Sequence, residues 1–67
     1  MLAVRNGQVW EVFDPTVGYW DKAIVVAVEN DRVTLRHQTG FQRINCSIED
    51  LEQRRERFRY LAETRPA

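Results

Sequence analysis

The sequence predicts a mainly β fold: a small barrel of four to five antiparallel strands, followed by a C-terminal helix. Three observations lead there. Up to residue 46 the apolar residues alternate or run in short β-branched stretches. Clusters of turn-forming residues divide those stretches at 14–18, 30–31 and 38–40. From Ser47 onward the apolar residues recur at helical spacing instead. No linker or repeat splits the chain, so residues 1–67 form one domain, with the barrel over 7–46 and the helix within 47–63.

Residues 8–13 make the first strand, a β-prone run of Val9, Trp10, Val12 and Phe13 after Gly7. Asp14-Pro15-Thr16-Val17-Gly18 is a loop. Residues 20–29 make the second strand. Its centre, 23–28, is apolar on both faces, unlike an ordinary sheet strand with one solvent-facing side. Asn30-Asp31 tolerates the positive φ of a tight hairpin turn. Residues 32–37 alternate cleanly, Val33 and Leu35 against Arg32, Thr34 and Arg36. Residues 41–46 complete the meander.

A two-residue turn at Asn30-Asp31 pairs Val28 with Val33, Ala27 with Thr34, Val26 with Leu35 and Val25 with Arg36. The next hairpin is expected to set Val33 opposite Ile44 and Thr34 opposite Arg43. The core face then carries Ile24, Val26, Val28, Val33, Leu35 and Ile44. The outer face carries Ala23, Val25, Ala27, Thr34, Arg36, Phe41 and Arg43.

Ser47 is an N-cap residue, with Asp50 in the capping-box position. A helix over 48–63 has the apolar stripe Ile48, Leu51, Phe58, Leu61 and Ala62, interrupted where Arg54 and Arg55 stand. At that gap either the arginine stems lie along apolar surface with their heads in water, or the helix docks only at its two ends. A break after Leu51 is a further alternative. Asp50–Arg54, Glu52–Arg55 and Glu56–Arg59 are spaced for helical ion pairs. Residues 64–67 are expected to fray.

The barrel order, opened by Gly7-Gln8-Val9-Trp10, resembles SH3-like small barrels, including the Tudor-type and KOW-type modules, over roughly residues 7–51. That resemblance implies a fold far more than a function. Phe41-Gln42-Arg43-Ile44 also has a fainter likeness to the active-site strand of the plasmid-borne, trimethoprim-resistant dihydrofolate reductases. Those are tetramers of such barrels using a nicotinamide cofactor. Only Gln42 matches there, and Ile44 stands at the tyrosine position.

Composition narrows the function classes. A domain this short buries only about 60% of its unfolded surface and often relies on a staple or a partner subunit. Cys46 and His37 are the sole residues of their types, which rules out an intrachain disulfide and a four-ligand Cys/His zinc site within one chain. Ten basic residues balance ten acidic ones, so net charge attracts neither nucleic acid nor membrane, and any such binding needs a local patch. No apolar run approaches a membrane span. A single thiol and the absence of an export signal point to the cytoplasm. Without a phosphate-binding glycine loop, paired carboxylates or a Cys46–His37 contact, the chain reads as non-catalytic and without a cofactor.

Two surfaces remain as sites. Arg32, Arg36, His37, Phe41 and Arg43, with Tyr19 and Trp20 at the rim, form a ligand or nucleic-acid surface of cations interleaved with aromatics. Val25, Ala27, Phe58, Tyr60 and Leu61 form an oligomer interface if one barrel fails to cover them. The leading expectation is a binding module that self-associates or serves as an accessory subunit. Nucleic-acid binding comes second, and an oligomeric reductase with a pore around Gln42 comes last.

Overall fold

The computed structural model describes residues 3–39 and 42–63. The elements run β1 (Gln8–Asp14), β2 (Tyr19–Glu29), β3 (Arg32–His37), β4 (Arg43–Ser47), α1 (Ile48–Gln53) and β5 (Phe58–Glu63). All five strands belong to one antiparallel sheet in the order β4-β3-β2-β1-β5. The predicted mainly β fold is therefore present. The sheet is not hydrogen-bonded into a ring, because β4 and β5 are its two edges. The expected tail at 64–67 lies outside the described residues.

Trp10 and Val12 of β1, Ala23 and Val25 of β2, Val33 and Leu35 of β3, Cys46 of β4, Leu51 of α1 and Phe58 of β5 form one buried cluster. One face of every strand thus contributes to a single core, with α1 packed against it through Leu51. Gln8 is also fully buried, and its amide is satisfied at both ends. Its Nε2 donates to the Ala3 carbonyl at 2.7 Å, and its Oε1 accepts from the Trp10 indole at 3.2 Å. The buried polar group is thereby paired, and the lead-in is tied to β1.

The turns follow their residue chemistry. Asn30 has φ of 54°, the left-handed conformation that asparagine tolerates. Gly18 closes the first hairpin loop at φ of 75°, donating its N–H to the Asp14 carbonyl at 2.7 Å.

Three expectations are corrected. In β2, Val28 pairs with Val33 and Ala27 with Thr34 as read, but a bulge at Val26 then sets Val25 opposite Leu35 and Ile24 opposite Arg36. Ala23 and Val25 consequently point into the core, and Ile24 points outward. One extra residue reverses the side of everything beyond it. Next, β3 meets β4 two residues from the expected register, with Val33 opposite Cys46, Leu35 opposite Ile44 and Arg36 opposite Arg43. A two-residue slip keeps both faces intact, so the apolar pattern could not distinguish the two pairings.

The third correction concerns the C-terminal helix. Ser47 caps α1 as expected, its Oγ accepting from the Asp50 N–H at 3.0 Å, and Arg54 pairs with Asp50 at 3.1 Å. The helix ends at Gln53. The interruption at Arg54 and Arg55 is a break: no apolar side chain there holds another turn against the core. The chain turns through Arg54–Arg57 and continues as β5, with Phe58 opposite Val12 and Tyr60 opposite Trp10. Phe58 and Tyr60 lie two residues apart, the strand period, and the new strand satisfies the outer edge of β1.

Candidate functional site

The clean alternation of β3 sends Val33, Leu35 and His37 inward and Arg32, Thr34 and Arg36 to the opposite face. β4 adds Arg43 directly across from Arg36 and Asn45 across from Thr34. On the other side, Ile24 and Val9 continue the row that starts at Arg43 and Arg36. A parallel row runs through Lys22, Glu11 and Arg59 on β2, β1 and β5. The outer face therefore gathers the cations Lys22, Arg32, Arg36, Arg43 and Arg59, against the carboxylates Glu11 and Glu29. In a chain with zero net charge this is a marked separation of sign. Like charges set opposite one another, as Arg36 and Arg43 are, disfavour the pairing of the two strands.

An aromatic group borders the cations. Phe13 and Trp20 face each other across β1 and β2, with ring centres 5.5 Å apart and planes at 62°. The Arg59 guanidinium lies 4.1 Å from the Trp20 ring centre, in cation–π contact. Tyr19, the neighbour of Trp20 at the start of β2, alternates to the other face of the strand and is 59% exposed.

Of the surface read from the sequence, Arg32, Arg36 and Arg43 come together, with Trp20 at one margin, whereas Tyr19 alternates to the other face of β2. Phe41 lies outside the described residues. His37 does not belong to the surface: it is 9% exposed, and its Nδ1 lies 2.9 Å from Asp21 Oδ2. Asp21 also accepts from the Lys22 N–H and the Thr39 hydroxyl, so this group ties β2 to the β3–β4 loop. Two residues of the face were missed. Lys22 was readable as the partner of Glu11 once the first hairpin was registered, whereas Arg59 was hidden by the expectation of a helix.

The expected oligomer interface divides. Val25 and Phe58 are core residues, at 2% and 5% exposure, and are withdrawn from it. Ala27 is half-buried on the outer face, opposite Thr34. Tyr60 and Leu61 are exposed on β5. Tyr60 packs edge-on to Trp10, with ring centres 5.5 Å apart, and Leu61 is the extra residue of a bulge in the β1–β5 ladder. A groove of about 600 Å³ opens beside this pair, lined by Trp10, Phe58 and Tyr60 and by Glu52, Gln53 and Arg55 from the end of α1.

Cys46 and His37 are not brought together. Cys46 opposes Val33, whereas His37 opposes Ala23 farther along β3. Burial and the Asp50 carboxylate push the Cys46 thiol above its ordinary pKa, with Arg32 and Arg57 pulling partly the other way. Such a thiol is held in its less nucleophilic form. Among the described residues no three His, Cys, Asp or Glu side chains gather as metal ligands, and no helix is long and apolar enough to cross a membrane. Comparison of the chain with family models, with curated proteins and with solved structures finds no significant match, so its function is argued from this geometry.

Proposed function

We propose that this protein is a non-catalytic binding module whose outer sheet face binds nucleic acid, mainly through phosphate contacts. The observation that carries the proposal is the concentration of five cations on one face of a chain with no net charge. Phosphate contacts from arginine and lysine set affinity, and an aromatic margin of Trp20 and Phe13 offers stacking to an unpaired base. The sheet order, with a short helix between β4 and β5, is compatible with the SH3-like class that the sequence resembles, and lends the binding role analogy only.

Fluorescence anisotropy with short single- and double-stranded probes, across a salt series, tests the reading. Three phosphates contacted on a single strand predict a slope of log K against log salt of about −2. Reversing Arg36 and Arg43 to Glu should abolish the binding. Absent binding, or binding indifferent to salt, would reject the proposal.

A second reading, self-association through β5, is favoured by one observation: this edge strand exposes both Tyr60 and Leu61. Light scattering across a concentration series separates it from the first. A Leu61→Lys variant that stays as associated as the parent chain would dispose of it.

A further inference from the structure

A second, smaller concavity lies where the two edges of the sheet approach each other. It is a polar cleft of about 330 Å³, walled by β4 on one side and by the chain leading from α1 into β5 on the other. Three arginines from three different segments line it: Arg32 at the start of β3, Arg54 at the end of α1 and Arg57 just before β5.

Each guanidinium is steadied by contacts that leave donors over. Arg32 Nη2 donates to Asn45 Oδ1 at 3.2 Å. Arg54 Nε donates to Asp50 Oδ1 at 3.1 Å, and its Nη1 lies 3.9 Å from Glu56 Oε1. The Arg57 guanidinium lies 5.9 Å from the Phe58 ring centre. Asp50 is the one carboxylate on the cleft wall, and it is engaged by Arg54. Among the described residues, Arg32 and Arg57 form no ion pair with a carboxylate. Both also lie near enough to the Cys46 thiol, on the same wall, to pull its pKa down against burial. Three positive groups are thus held around a space whose wall carries one acid, with Glu56 reaching Arg54 from outside that wall.

We propose that this cleft is a phosphate subsite, in which Arg32, Arg54 and Arg57 donate charge-assisted hydrogen bonds to one phosphate group. Guanidinium forks match the oxygens of a tetrahedral anion, and each arginine keeps N–H donors beyond its steadying contacts. The volume is near the lower limit of ligand clefts, which suits a single small anionic group. Arg32 belongs to both the cleft and the outer sheet face. A strand lying along Arg36 and Arg43 therefore has its next phosphate directed here, and in that form the subsite rests on the proposed nucleic-acid function. A free phosphate compound offers the same chemistry without that function.

The test follows the arginine Nε–H signals of the whole chain by NMR during titration with inorganic phosphate, with sodium chloride at matched ionic strength as control. Anisotropy with a short single-stranded oligonucleotide is run in parallel. The variants are Arg54→Gln and Arg57→Gln, exposed positions whose folding is verified by circular dichroism, with Arg43→Gln on the sheet face for comparison. The subsite predicts that phosphate shifts the Arg54 and Arg57 signals saturably and chloride does not. It also predicts that R57Q weakens the phosphate response by about tenfold, the loss of one charged donor, while R43Q leaves it unchanged. If R54Q and R57Q also weaken the oligonucleotide, the phosphate belongs to a strand. If phosphate saturates the cleft while the oligonucleotide fails to bind, the subsite stands, its source is a free phosphate compound, and the sheet-face reading falls. Identical responses to phosphate and chloride, or an R57Q variant that binds phosphate like the parent, would overturn the subsite.

Discussion

Truncating Phe58 and Leu61 separately tests whether residues 58–63 pair with β1 or coil as a helix. Three positions apart, the two side chains would share one face of a helix, and both would then be buried against the sheet. In β5 they differ: Phe58 is 5% exposed and touches the core, whereas Leu61 sits in a bulge at 41% exposure. Removing a buried phenylalanine ring costs about 3–5 kcal/mol through lost transfer energy and the cavity left behind. Shortening an exposed leucine costs within about 0.5 kcal/mol. A domain of 67 residues has on the order of 3–10 kcal/mol in total, so Phe58→Ala approaches global unfolding. The measurable variant is Phe58→Leu, expected to cost about 1–2 kcal/mol. Urea unfolding followed by circular dichroism should show its midpoint lowered at unchanged m-value, and the Leu61→Ala midpoint nearly unmoved. In thermal scans each kcal/mol corresponds to about 4–8 °C. Equal losses for Phe58→Leu and Leu61→Ala would refute the strand and restore the helix.

Other perturbations read other parts of the fold. Gln8→Leu strips partners from the Trp10 indole and the Ala3 carbonyl, and should cost about 1–3 kcal/mol with a change in tryptophan emission. Ser47→Ala removes the cap of α1 and should cost about 1 kcal/mol by urea unfolding. The Cys46 thiol has a raised pKa in the folded chain, so the native state holds its proton more tightly than the unfolded state does. Stability from this group is complete below the unfolded thiol value of about 8.5 and is lost as pH rises through the higher folded value. A Cys46→Val variant should show a flatter decline above that pH than the parent, and identical curves would exclude the effect.

Legibility from sequence depended on whether a segment's pattern left one arrangement or several. In β3 the alternation of Val33 and Leu35 with Arg32, Thr34 and Arg36 admits one orientation, and the basic half of the candidate site was readable from it. In β2 both orientations bury apolar groups, so nothing in Ala23-Ile24-Val25-Val26-Ala27-Val28 announces the bulge that decides between them. The β3–β4 register had two solutions with the same faces, because the period of a strand is two. Residues 54–63 carry both signals at once. Glu–Arg spacings and Phe58 with Leu61 suit a helix, while Phe58 with Tyr60 suits a strand, and the need of β1 for a second partner settles the matter. That tertiary demand also moves Arg59 onto the sheet face, where local pattern could not place it.

The strand order has a consequence for how the protein is made. β1 is flanked by β2, its immediate successor, and by β5, the last strand of this sheet in chain order. Val12 and Phe58 meet only after every intervening element exists, at the entropic cost of closing a loop that spans most of the chain. The hairpins β1–β2, β2–β3 and β3–β4 are local and can assemble as the chain emerges. The core still lacks Leu51 and Phe58 until those residues have been made. Cooperative folding should therefore be a late event, limited by docking of β5 on β1 rather than by formation of the hairpins.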